Sequence, residues 1–166
     1  MPNYELLKKK PFYLNNSQVL WVKNTLEALT LDEKIGQLFH LIMYEYEDEH
    51  LRELVHKYKI GGIMGRQMPL EDTCKAVTYL QKESEIPLLI SANFEAGGDG
   101  MIAEGTNVGP NMQIGATANP EFAAKQGYVC AREGLAVGAN YAFAPVIDID
   151  YNFRNPIVAT RVYGSD

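Results

Sequence analysis

The chain has 166 residues, 46% apolar and 22% charged, enough for a single domain burying roughly two thirds of its unfolded surface. Its formal net charge of -6 argues against nucleic acid or an anionic membrane as partner, since either selects clustered Lys and Arg, and the lone basic run, Lys8-Lys9-Lys10, reads as a solvated tail. No apolar run approaches the ~18 residues of a membrane span, no secretory leader pattern opens the sequence, and the distant Cys74 and Cys130 read as two buried thiols of a reducing, cytoplasmic compartment.

Residues 1–16 read as an irregular N-terminal segment, and one domain is expected over 17–166. Ser17 is the expected cap of a helix to about Leu29, with Val19, Leu20, Val22 and Leu26 as its apolar stripe. Thr30-Leu31-Asp32-Glu33 has the form of a capping box and starts a short helix. From there apolar runs alternate with helical patterns. Leu38–Met43 is a first strand and Asp48–Tyr58 a helix with Leu51, Leu54, Val55 and Tyr58 on one side. Ile60–Met64 is a second strand. A helix from Pro69 to about Ser84 puts Leu70, Cys74, Val77 and Gln81 on one side, widened by Ala76 and Leu80. Pro87–Ala92 is a third strand, followed by a long Gly-rich loop over Phe94–Gly115.

Asn119-Pro120 is a strong helix start, with Asn as N-cap and Pro in the first turn. Gly138 is placed to end that helix. Its Gly127, Ala131 and Gly134 form a small-residue seam suited to lying close on a sheet. Tyr141–Ile149 is a fourth strand. Strands that are apolar throughout imply burial on both faces, hence an α/β fold with a parallel sheet and helices outside. Two architectures fit about four βα units: an open doubly wound sheet, or a partial, truncated (β/α)8 barrel of the TIM type, since a full barrel takes about 250 residues.

In both architectures ligands bind at the carboxyl ends of the strands. The polar residues there are Tyr44 and Glu45, Arg66 and Gln67, Asn93 and Glu95, then Asp148 and Asp150 with Asn152, Arg154, Asn155 and Arg161 in the last loop. Carboxylates, amides and guanidiniums on one rim suit a polyhydroxyl ligand, and equally a solvated loop surface. Asp148 and Asp150 point to opposite faces of a strand, so they are not one carboxylate pair. A salt bridge from one of them to Arg154 or Arg161 is the plain expectation. His40, His50 and His56 lack metal-ligand spacing; core packing is expected for His40 and helix surface for the others. Gly97-Gly98-Asp99-Gly100 is not a dinucleotide fingerprint. No cofactor and no metal is expected.

Four stretches carry a family resemblance: LTLDEKIGQL at 29–38, IGGIMG at 60–65, IPLLISANFEAGG at 86–98, and the long run from Gly134 to Asp166 containing Ala-Pro-Val-Ile-Asp and closing Arg-Val-Tyr-Gly. Together they resemble the N-terminal barrel domain of family 3 glycoside hydrolases, the β-glucosidases and β-N-acetylglucosaminidases, over roughly residues 25–166. The resemblance implies the first half of a (β/α)8-type barrel and retaining hydrolysis of O-glycosyl bonds through a glycosyl-enzyme. The nucleophile and acid/base are then expected beyond Asp166, so the 166-residue chain alone is expected to be inactive. What carries over is substrate binding. Arg161 matches the family arginine that holds the sugar beside the cleaved bond, and Asn93 stands where the family has an Asp bonding that sugar's hydroxyls. Glu95 matches a family Glu of supporting role, and Asp148 and Arg154 complete the candidate set. The alternative is a non-catalytic carbohydrate-binding or assembly module. In either case the edges and inner face of half a barrel lack partners, which predicts self-association.

Overall fold

The computed structural model describes residues 3–44 and 46–165. A 3₁₀ turn, Tyr4–Lys8, gives the leading segment more order than its composition predicts. Helix α1, Asn16–Ala28, is capped by Asn15 rather than Ser17. Asn15 accepts from the Gln18 backbone N–H, and the Gln18 side chain accepts from that of Asn15; the Ser17 hydroxyl merely donates to Asn15 Oδ1. Of the expected stripe on α1, only Val19 is buried, and Leu20 and Leu26 are exposed. Helix α2, Leu31–Gly36, starts at the expected box, with Thr30 and Glu33 exchanging hydrogen bonds. The Thr30 backbone N–H, ahead of its hydroxyl, holds the Glu33 carboxyl below its ordinary range.

Strands β1 (His40–Met43), β2 (Gly62–Gly65), β3 (Leu89–Ala92) and β4 (Tyr141–Ala142) form one parallel sheet. Helices α3 (Asp48–His56), α4 (Leu70–Glu83) and α6 (Pro120–Ala136) cross between successive strands. A one-turn helix α5, Asn111–Gly115, and a 3₁₀ turn, Gly98–Gly100, interrupt the loop after β3. The strand order is β1-β2-β3-β4. That order decides between the two architectures, because a doubly wound sheet reverses at a switch point and this sheet never does. The winding is that of a barrel arc.

Alternation gives the sheet an outer and an inner face. Outward, Met43, Ile63, Ile90 and Ala92 pack under Leu51, Leu54 and Val55 of α3 and Ala76, Val77 and Leu80 of α4. Each large side chain buried there contributes about 1.5–3 kcal/mol. On α4 the buried positions are Thr73, Ala76, Val77 and Leu80, while Leu70 faces solvent. Gln81 instead brackets Leu88, donating to its carbonyl and accepting from its N–H.

Inward, the His40 ring crosses β2 at Gly62, where a Cβ would collide with it. Its Nε2 lies 2.7 Å from Ser91 Oγ on β3, and the ring stands edge-on to Tyr141 and Phe143. The packing role expected for His40 therefore includes a cross-strand hydrogen bond. The rest of this face is open: Ile42 is 45% and Leu89 50% exposed.

Two further features differ from the sequence reading. Strand β4 stops at Ala142 instead of Ile149. After the Phe143 N–H bonds to the Ala92 carbonyl, Pro145 has no N–H to add to a ladder, and β4 has a sheet neighbour on one side alone. The small-residue seam of α6 is also divided. The helix buries Gln126, Cys130 and Gly134. A Cβ on Gly134 would stand 3.0 Å from the Phe94 ring, whereas one on Gly127 would meet nothing within 4 Å. Gly127 and Ala131 line a groove of about 380 Å³ between α6 and the segment from Ala139 to Pro145.

Candidate functional site

The rim is organised by the loop that leaves β3. Asn93 is half-buried and follows Ser91 by one alternation, so it continues the inner face. Phe94 turns outward and packs on Gly134. The loop beyond is pinned at several points. Glu133 of α6 accepts from the Thr106 N–H at 2.9 Å and its hydroxyl at 2.5 Å. Gly98 lies so near the Glu133 carboxylate that any Cβ would strike it. Asn107 donates to Asp99 at 2.6 Å, and Gln67 donates to the Asp99 carbonyl at 3.0 Å.

Glu95 meets Arg161, 66 residues later, which emerges from a 3₁₀ turn, Ala159–Arg161. The contact is a two-point fork: Nε donates to Oε2 at 2.9 Å and Nη2 to Oε1 at 2.7 Å. Nη1 donates to the Ile157 carbonyl at 3.3 Å. The Glu95 side chain is 16% exposed and that of Arg161 45%. The Glu95 hydrogen bond, outweighing desolvation, raises the Arg161 pKa above its ordinary value, with the charges of Glu95 and Asp148 adding to it. The guanidinium is therefore a fixed cation. One N–H on Nη1 and one on Nη2 remain without a partner among the described residues. Such donors match the hydroxyl oxygens of a sugar.

The other candidates are distributed unevenly. The exposed Asp148 lies near enough for its charge to act on Arg161. Arg154 stacks its guanidinium 5.4 Å above the Phe153 ring, and makes no ion pair with Glu95 or Asp148 among the described residues. The expected bridge from Asp148 or Asp150 to an arginine is thus replaced by the Glu95 pair; a carboxylate held at the end of β3 offers both oxygens in a fork. Asp150 is engaged through its backbone N–H, on the Gly164 carbonyl. Asn152 and Asn155 accept from backbone N–H groups of their own loop. Tyr44 and Arg66 are exposed, and Glu45 lies outside the described residues.

His56 bonds to Glu83 across α3 and α4 at 2.9 Å. The two cysteines are unpaired, Cys130 buried and Cys74 half-buried, and burial pushes the Cys130 thiol up. Among the described residues no three or more His, Cys, Asp or Glu converge as metal ligands, and no helix is long and apolar enough to cross a membrane. Two residues absent from the sequence-based candidates, Asn111 and Gln126, are buried directly behind the Glu95–Arg161 pair. Amides on helices read from sequence as surface, and nothing local marks these as different.

Sequential parallel strands with a polar rim at their carboxyl ends define an arc of a (β/α)8-type barrel. Residues 30–166 match the model of the glycosyl hydrolase family 3 N terminal domain, and the chain belongs to that family. It is 44% identical over 160 residues to the β-N-acetylglucosaminidase/β-glucosidase of Cellulomonas fimi, covering 96% of this chain and 28% of that protein. Among solved structures it resembles the β-glucoside phosphorylase BglX bound to 2FGlc, with TM-score 0.91 and 39% identity, covering 98% of this chain and 30% of that one. The β-N-acetylglucosaminidase from Thermotoga maritima aligns with TM-score 0.63 and 26% identity, over 79% of this chain and 28% of that one. The chain thus spans less than a third of these relatives.

Proposed function

We propose that this chain supplies the sugar-holding rim of an enzyme acting on the O-glycosyl bonds of β-glucosides or β-N-acetylglucosaminides. The carrying observation is the Arg161 guanidinium, locked on Glu95 with two N–H groups left over for hydroxyls. Arg161 and Asn93 hold the sugar, Glu95 holds Arg161, and Asp148 adds a nearby acceptor; the Arg154 side chain must leave the ring of its neighbour Phe153 to join them. A retaining route needs an attacking carboxylate and a separate proton donor, and both come from outside residues 1–166. The glycosyl-enzyme is then released by water or by inorganic phosphate, and the likeness to a β-glucoside phosphorylase is the reason to test both acceptors. Free thiols at Cys74 and Cys130 favour a reducing, cytoplasmic setting.

The test is to incubate the 166-residue chain with 4-nitrophenyl β-glucoside and its N-acetylglucosaminide counterpart, with and without phosphate, while following contact with methyl β-glucoside by saturation-transfer NMR. Saturable contact without nitrophenol release is the expected result. Nitrophenol release by the chain alone would overturn the division of labour, and absence of any sugar contact would overturn the rim.

A further inference from the structure

We propose that Asn111 and Gln126 are positioning residues that fix the Arg161–Glu95 pair from behind; the functional meaning rests on the sugar-binding reading above. Gln126 is 2% exposed. Its Nε2 donates to the Glu95 carbonyl at 3.1 Å and to the Gly109 carbonyl at 3.0 Å. One amide thus clamps both ends of the loop that follows β3. Gly109 leads through Pro110 into α5, whose first residue is Asn111, 1% exposed. Asn111 Nδ2 donates to the Arg161 carbonyl at 2.7 Å. The contacts close a ring, from the Glu95 carbonyl through Gln126, Gly109 and Asn111 to the Arg161 carbonyl, then back from the guanidinium to the Glu95 carboxylate.

The backbone is shaped to allow this. A Cβ on Gly115 would run into the Tyr163 carbonyl, so α5 sits directly against the segment carrying Arg161. Next to the arginine, Val162 is fully buried. The arginine is therefore held at both ends, its backbone by Asn111 and its head by Glu95. Neutral amides suit the task, since each offers an N–H in a dry place without the desolvation cost of a charge.

The fold alone does not account for Asn111. Its Oδ1 is buried with no partner among the described residues, an arrangement that costs stability relative to an apolar residue of similar size. The side chain's one hydrogen bond goes to the residue whose placement decides where the free N–H groups point. Recognition of this kind depends on fractions of an ångström.

The experiment follows the Nε–H resonance of Arg161 in ¹⁵N-labelled chain, assigned by its loss in Arg161→Ala. Water exchange of that proton is compared in Asn111→Ala, Asn111→Asp, Gln126→Ala and Gln126→Glu. Thr73→Val is the control, because the Thr73 hydroxyl is likewise buried without a partner among the described residues but lies on α4. The expected result is exchange accelerated about tenfold in the Asn111 and Gln126 variants, with the amides of β1–β3 unmoved, and no acceleration in Thr73→Val. In Asn111→Asp, acid that protonates the new carboxyl restores a donor and brings exchange back toward wild type at the same pH. If alanine variants lose the folded spectrum, the isosteric Asp and Glu variants decide. Unchanged Arg161 exchange in folded Asn111→Asp and Gln126→Glu overturns the proposal, as does equal acceleration in Thr73→Val. Affinity for methyl β-glucoside, read in parallel, is expected to fall about tenfold in the same variants. A wild-type chain that takes up no sugar sinks the sugar-binding reading, while the positioning claim is still judged on the exchange rates.

Discussion

The two faces of the sheet are built from similar residues and meet different fates. Outward, Ile63, Ile90, Leu51 and Leu80 are fully buried beneath α3 and α4. Inward, Ile42, Leu89, Tyr141 and Phe143 keep between two fifths and half of their surface in water, although parallel sheets are ordinarily covered on both sides. Under α3 and α4 the outer half is a continuous core. The inner half is a barrel lining braced by His40 on Ser91, and the Asn93 and Arg161 rim stands at its carboxyl end. Under the function proposed above, stability and sugar recognition fall to different sides of one sheet.

Paired substitutions break or confirm that contrast most strongly. Leu80→Ala or Ile90→Ala is expected to cost about 2–5 kcal/mol in urea unfolding, the range for buried Leu or Ile to Ala. Leu89→Ala, on the open face, is expected to cost under about 1 kcal/mol. Equal losses would mean that the inner face is covered in solution. Self-association asks the same question at the level of assembly. The open lining and the edges of β1 and β4, unpaired among the described residues, predict concentration-dependent mass in sedimentation at micromolar chain, weakened about tenfold by Leu89→Lys. A clean monomer would contradict it.

Smaller effects sharpen the picture. Asn93→Asp puts a charged acceptor at the rim and is expected to tighten sugar binding by several-fold to about tenfold, since charge-assisted bonds are roughly twice as strong as neutral ones; calorimetry reads this directly. The smallest effect concerns His40. Burial, opposed by a hydrogen bond with the Ile63 backbone, holds its pKa below the ordinary 6.5. The folded chain therefore binds this proton less readily than the unfolded chain. The stability concerned is present above 6.5 and is lost as pH falls from there toward the folded value. His40→Gln is expected to flatten that slope in urea midpoints taken across the same range; an unchanged slope would remove His40 as its source.

What could be read in the sequence was what is local. The Thr30 and Glu33 box, the cores of the first three apolar strands and the Asn119-Pro120 helix start depend on neighbours a few residues away, and each is found within or next to the expected run. Arg161 was legible as a candidate through the family resemblance, yet its partner was sought in nearby Asp148 and Asp150. The partner is Glu95, brought in by the crossover through α6. Asn111 and Gln126 carried no signal because their carbonyl partners belong to distant segments. The α6 seam is legible only in part for a related reason: spacing finds small residues on a helix but not how near the opposite wall lies, and Gly127 is separated by the groove from the segment carrying β4. Strand β4 was read too long because apolar composition cannot reveal that a neighbour is missing on one side.

The decisive measurement is a calorimetric titration of the wild-type chain and of Arg161→Ala with methyl β-glucoside and methyl N-acetyl-β-glucosaminide. The account predicts saturable heat for at least one sugar in the wild type and a loss of about tenfold or more in affinity in the variant. Equal binding by both chains, or no binding by the wild type, would contradict it.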